Sequence, residues 1–277
     1  MAAGKDSRGS PLIPDRHKQL DFFVADIFDA APKDDAASME HPIFALRAGD
    51  TRPRRYEHGE TWLEVEPGAK GIATIHDKDL WIYCISQLVE AINRGREDIS
   101  RTVRFTAYDF LVTTNRRTDG DSYQRMIEMI DRLAGTRIRT NFRTAGMRER
   151  TWFGLVDSAR VIERDGGGRM VAVEVTLPDW LFRAVQEMQV LTLHRDYFRL
   201  RKPLDRRIYE LARKHCGKQS MWRVGLKTLH MKSGSRDNLA KFRAAIKQLT
   251  ATDGLPGYHV EYDPERDQLA VQPQPVD

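Results

Sequence analysis

Arg236, Lys241 and Lys247 recur between Lys232 and Leu249, with Ser235, Ala240, Ala244 and Gln248 interleaved among them. At about 100° per residue, the set from Arg236 to Gln248 gathers on one side of a helix, and Leu239, Phe242, Ile246 and Leu249 gather on the other. Ser235 is placed to cap the helix, since its hydroxyl can accept a hydrogen bond from an unpaired backbone N–H. Two alanines between cations let the helix approach an anionic surface closely, and Lys and Arg are the side chains that neutralise phosphate. The chemistry this set can perform is recognition by ion pairing and hydrogen bonding.

Bond-making chemistry has no comparable support. A metal-assisted strand-nicking site needs a His-x-His pair, and no two of His17, His41, His58, His76, His194, His215, His230 and His259 stand two apart. Gly166–Gly168 runs into Arg169-Met170 and a strand pattern, so it reads as a hairpin turn, whereas a phosphate-cradling loop ends in Gly-Lys-Ser/Thr. Asp119 and Asp121 read as turn and helix cap, and His215-Cys216 lacks two further ligands for zinc. The expectation is no catalytic residue, no metal and no cofactor. A relaxase or primase-like enzyme is disfavoured.

The elements that must position the cationic set follow from periodicity. A short helix over Leu226–Met231 precedes it, and strands near Tyr258–Tyr262 and Gln268–Val271 follow, joined by Asp263-Pro264-Glu265-Arg266-Asp267. Helix, turn, basic helix, hairpin is the winged form of a helix-turn-helix. Upstream, Asp205–Cys216 reads as a helix closed by Gly217, and Trp222–Val224 as a short strand. The same order occurs earlier. An apolar helix spans Asp79–Asn93, with Asp77 as its cap and Gly95 as its stop. A strand follows at Val103–Phe105, then helices over Ala107–Thr114 and Asp121–Ala134 and alternating segments from Thr136 to Leu177. In that reading Arg137–Arg150 is the first wing.

The fold expected is α+β, two tandem winged-helix domains. Residues 1–40 form a mostly disordered leader broken by an apolar island over Leu20–Phe28, either a short docking helix or a partner-recruiting peptide. Residues 41–188 form the first domain, which can touch the DNA backbone, and residues 189–277 the second, for DNA recognition.

Charge separates the two candidate reading helices. Asp121–Ala134 carries two arginines against three carboxylates, a net charge of −1. Ser235–Leu249 carries four cations against Asp237, a net charge of +3. Five arginines stand against Glu149 in Arg137–Arg150, so Arg137 and Arg139 can touch a phosphate backbone or else form a solvated strand face. A further basic cluster comprises Arg195, Arg199, Arg201, Lys202, Arg206 and Arg207, and Arg206 and Arg207 are expected to contribute to the interface.

Composition agrees with a nucleic-acid partner without requiring one. Across 277 residues, 31% are charged and the formal net charge is +5. The pI of about 9.2 is moderate. Cys84 and Cys216 read as buried thiols, in keeping with a reducing compartment. No apolar run approaches a membrane span, and the polar Met1–Ser10 lacks a signal-peptide core, so a cytoplasmic protein is expected.

Residues 202–219, Lys-Pro-Leu-Asp-Arg-Arg-Ile-Tyr-Glu-Leu-Ala-Arg-Lys-His-Cys-Gly-Lys-Gln, resemble the plasmid replication initiator protein A family. Trp222, Leu226–Leu229, Lys232-Ser-Gly-Ser, Phe242, Ile99–Phe105, Tyr108–Arg116 and Tyr197-Phe-Arg-Leu fit the same signature, and the resemblance covers roughly residues 40–263. It implies a protein that binds repeated double-stranded sites at a plasmid origin, promotes opening of adjacent duplex, and brings in the host initiator and replicative helicase. Related initiators have two winged-helix domains, so the resemblance implies that residues 41–188 mediate dimerisation and residues 189–277 read the repeats, with a homodimer that represses its own gene. The alternative is a DNA-binding autorepressor with no role in initiation.

Overall fold

The computed structural model describes residues 22–25, 42–58, 60–141, 143–144, 147–148, 150–163, 170–217 and 219–274. Among them, helices mix with antiparallel sheets. The first half is built around α1 (Lys78–Asn93). This helix is apolar on nearly every side, and such a sequence is stable only when enclosed. Leu80, Trp81, Ile82, Cys84, Ile85 and Val89 are fully buried. The Trp81 indole donates to the Leu155 carbonyl at 2.6 Å, so its one polar atom is satisfied. Asp77 stands at the N-cap as expected, but its carboxylate does not cap the helix. It accepts from the Thr74 N–H and is held bidentately by Arg132.

Before α1, β2 (Arg54–His58) and β3 (Thr61–Glu66) form a hairpin. After it come β4 (Thr102–Phe105), α2 (Ala107–Thr113) and α3 (Gly120–Gly135), and later β9 (Ser158–Glu163) and β10 (Met170–Thr176). The sheet order is β4-β10-β9. In the second half, α5 (Pro203–Cys216) is followed by β12 (Trp222–Gly225), α6 (Leu226–Ser233), α7 (Leu239–Ala251), β13 (Tyr258–Asp263) and β14 (Gln268–Pro273). Its sheet order is β12-β14-β13. Both halves thus run helix, strand, helix, helix, strand, strand, with the last strand in the middle of a three-stranded sheet.

The first half departs from the expectation in one place. The segment read as its wing is an insertion between α3 and β9. It comprises β5 (Arg137–Thr140), the pair β6 (Arg143–Thr144) and β7 (Met147–Arg148), and β8 (Thr151–Gly154). These strands leave the β4-β10-β9 sheet. β5 and β8 join a sheet of order β2-β3-β5-β8 instead, and β6 pairs only with β7. Ile138 and Thr140 point inward from β5 beside Leu63 and Val65, and one face of alternating apolar residues selects that register. The hairpin of the three-stranded sheet is β9–β10, and its expected Asp165–Gly168 turn lies outside the described residues.

The apolar island is a strand where described, and not a helix. Phe22–Ala25 (β1) pairs antiparallel with β11 (Val190–Leu193). Aromatic and β-branched residues favour that state, and four residues are too few for a stable helix. The rest of the leader lies outside the described residues. Between β10 and β11 lies α4 (Asp179–Gln186), and a 3-10 turn (Arg195–Arg199) follows β11.

The buried side chains form two clusters. One runs from Ile43 to Val185 and the other from Leu193 to Val271. Ile82 of α1 packs in the second cluster, so the first half's central helix reaches into the second half's core. Cys84 and Cys216 are buried free thiols.

Candidate nucleic-acid interface

The helix α7 begins three residues later than its sequence suggests. Asn238 is the N-cap, and its side chain accepts from the Lys241 N–H at 2.9 Å. Ser235 lies in the preceding loop, where its hydroxyl accepts from the Asp237 N–H. An Asn at that place satisfies the same orphan donor a Ser would, and the longer turn needs its own side-chain bonds. Ser235 is therefore not the cap.

Phe242, Ile246 and Leu249 are buried. Ala240, Lys241, Ala244, Lys247, Gln248 and Ala251 are exposed. The described structure thus leaves a face of small residues and two lysines open along α7, without a carboxylate on it. The remaining charges of the helix region have partners. Arg243 forks onto Asp267 of the β13–β14 turn at 2.8 and 3.0 Å. Arg236 pairs with Asp50 at 2.9 Å and also donates to the Arg52 carbonyl. Asp237 accepts both of its bonds from Arg47 at 3.0 Å. The expected net charge of +3 therefore resolves into two open lysines, and Lys247 lies 5.4 Å from the Tyr262 ring.

The β13–β14 hairpin is acidic near its turn, with Glu261 on β13 and Asp263, Glu265 and Asp267 around the turn against Arg266. A phosphate backbone disfavours that turn and favours the α7 face. Arg243, with Tyr262 adding a second bond, holds the Asp267 carboxyl down at about 2.

Arg206 and Arg207, expected at the interface, face inward instead. Both are buried. Arg206, 1% exposed, meets Asp79 of α1 in a short ion pair and donates to the Leu200 carbonyl. Arg207 donates to the Lys232 carbonyl at 2.8 Å and faces Glu210 at 3.6 Å. A guanidinium enclosed this way cannot reach a duplex. The two lie on the inward side of α5, at helical positions next to Ile208 and Tyr209. The basic cluster read from Arg195 to Arg207 is thus divided between the core and the surface, and Arg199 pairs with Asp196 at 3.0 Å.

Arg137 and Arg139 lie side by side on the outward face of β5. Arg139 bridges Glu64 at 3.2 Å and Glu66 at 3.0 Å. Arg137 is exposed. They are not part of the α7 face. On α3, Arg132 turns inward to Asp77, while Asp121 and Asp131 are exposed, so this helix presents carboxylates where α7 presents lysines.

Several residues escaped the sequence reading because their partners are far away in the chain. Lys78 pairs with Glu210 at 2.9 Å, and the Tyr197 hydroxyl donates to Glu210 at 2.8 Å. Asp79 also accepts from Arg116 at 2.7 Å. The loop before α7 rests on the first half through Arg47, Asp50 and Pro42. Gly234 has φ +68°, and a Cβ there would stand 2.5 Å from the Pro42 side chain. A Ser-Gly-Ser turn after a helix was the only signal of that contact in the sequence.

Among the described residues, no His/Cys/Asp/Glu group could hold a metal ion, and no helix is long and apolar enough to cross a membrane.

Comparison with known proteins places these features. A protein of Wigglesworthia glossinidia brevipalpis, described as a candidate replication protein, is 41% identical over 253 residues, covering 90% of this chain and 92% of its own. Two crystal structures of domains 2 and 3 of RctB share the fold. One has a TM-score of 0.64 at 12% identity, covering 90% of this chain and all of the other. The second has a TM-score of 0.56 at 13% identity, covering 85% and 95%. The model of the family described as Replication initiator protein A matches residues 33–260, which take in the β4-β10-β9 sheet and α7 and end within β13, and the chain belongs to that family.

Proposed function

We propose that the chain binds repeated duplex sites at a plasmid origin through its second half, promotes opening of the adjacent duplex, and brings in the host initiator and replicative helicase. In this reading both halves are winged-helix modules, since each has the element order and sheet order of one. The helix α7 enters the major groove with Ala240 and Ala244 toward the base edges. Lys241 and Lys247 take phosphates, and Gln248 is positioned for a base or a sugar. The first half serves as brace and dimer surface, and the protein acts in the cytoplasm without enzymatic activity of its own. The observation that carries this reading is the open, carboxylate-free face of α7, a long exposed helix face suited to DNA.

The test is footprinting on the cognate origin, where protection spaced by whole helical turns is expected. Protection without spacing, or none, sinks the proposal. Lys241→Ala and Lys247→Ala should weaken binding similarly on all sequences and lower the salt slope by about one unit each. An autorepressor without an initiation role predicts the same footprint at the promoter but unchanged plasmid replication when the gene is deleted.

A further inference from the structure

The outward face of the β2-β3-β5-β8 sheet has no role in reading duplex repeats through α7, yet it is built from residues that hold nucleic acid. Arg55, Glu64, Arg139 and Trp152 lie directly opposite one another across the four strands, and Trp62 is two residues before Glu64 on the same face. Trp152 is 57% exposed on β8, more than any other aromatic that the described residues of this half present. The Arg139 guanidinium lies 5.8 Å from the Trp152 ring and 6.0 Å from the Trp62 ring, and Arg55 lies 4.8 Å from Trp62.

The carboxylates on this face are already matched. Arg55 pairs with Glu57 and Glu64, and Arg139 with Glu64 and Glu66. Arg137 and Arg150 are exposed and have no carboxylate partner among the described residues. The sequence from Arg137 to Arg150 carries five arginines against Glu149. An exposed indole beside unmatched guanidiniums on a sheet face suits unpaired bases, which stack on the ring while the cations take the phosphates. A duplex hides its base faces and cannot use the indole.

We propose that this face binds single-stranded DNA, with Trp152 as stacking platform and Arg137 and Arg150 as phosphate contacts. The inference deepens the initiator reading, because origin opening produces an unpaired strand. Its test is separable from that reading, because an oligothymidylate carries no origin sequence.

The experiment follows the full chain by fluorescence anisotropy with labelled (dT)20 and, separately, with a labelled 20-base-pair duplex bearing an origin repeat. Trp152→Ala should weaken (dT)20 binding about tenfold, within the range for losing a stacked base, and leave duplex binding unchanged. Trp152→Phe should retain most of the affinity. Arg137→Ser and Arg150→Ser, on exposed positions that do not support the core, should lower the salt slope for (dT)20. Equal (dT)20 binding by wild type and Trp152→Ala overturns the proposal. So does a Trp152→Ala chain that sediments as a smaller assembly than wild type, which would make the face an interface between copies. Loss of repeat binding with retained (dT)20 binding would overturn the duplex reading alone.

Discussion

Arg206 and Asp79 lie 127 residues apart in the chain and meet where neither touches water. Burying both charges is tolerable because each has further partners, the Leu200 carbonyl for Arg206 and Arg116 for Asp79. Removing one partner leaves the other buried and uncompensated. Asp79→Ala should therefore destabilise the protein by about 3–5 kcal/mol, read by chemical denaturation. Beside this pair, His76 is half-buried, and its imidazole is pushed down to about 4. Loss of water is the main cause, and the Arg206 and Arg116 guanidiniums add to it, against Asp79 and Asp77. A base whose folded value lies below its unfolded value takes up its proton first in the unfolded chain. Stability from this site is thus complete above about pH 6.5 and is lost as the pH falls toward 4. His76→Gln should flatten the pH dependence of the unfolding midpoint over that interval, and an unchanged profile would count against the assignment. Asp267, held low by Arg243, keeps its pairing until the pH approaches 2, so the α7-to-hairpin contact should outlast the His76 site on acidification.

Among the elements, α7 is held from both ends. Asn238 caps its start, Arg243 ties its middle to the β13–β14 turn, and the loop that leads into it is seated on the first half. Gly234→Ala adds a methyl in a left-handed conformation against Pro42, so it should cost about 1–2 kcal/mol and alter DNA binding through the placement of α7. Ala244→Glu changes only the open face. It should leave the unfolding midpoint within about 0.5 kcal/mol of wild type and abolish duplex retention at moderate salt, because a carboxylate would face phosphate. If Ala244→Glu binds duplex normally, α7 does not face DNA.

At the scale of the whole molecule, the two halves share α1. Its Ile82 lies in the second core, and Lys78 and Asp79 at its start meet Glu210 and Arg206 of α5. Two independent winged modules on a flexible tether would unfold separately. A chain joined through a common helix and buried ion pairs should unfold in one transition. Lys78→Ala with Asp79→Ala should split that transition in calorimetry, and a single sharp transition in the double variant would argue that the apolar contacts of α1 alone couple the halves.

Helix and strand identity was legible where local periodicity is long enough to read, and was missed at the four-residue strand Phe22–Ala25, which is fixed by pairing with Val190–Leu193. The apolar stripe Leu239, Phe242, Ile246 and Leu249 specified α7 and left Ala240, Lys241, Ala244 and Lys247 outward, as the structure shows. The repeated element order of the two halves was legible for the same reason. Sequence could not decide which cations are open. Arg206 and Lys241 are equivalent in charge and in amphipathic context, and only the packing of α5 against α1 encloses the first and leaves the second in water. Nor could it decide where β5 pairs, since an alternating strand fits any sheet that offers an apolar face, and β3 supplied the nearer one. Periodicity is a property of neighbouring residues and is written in the chain. Burial of a charge depends on a partner more than a hundred residues away, and only the tertiary structure brings that partner within reach.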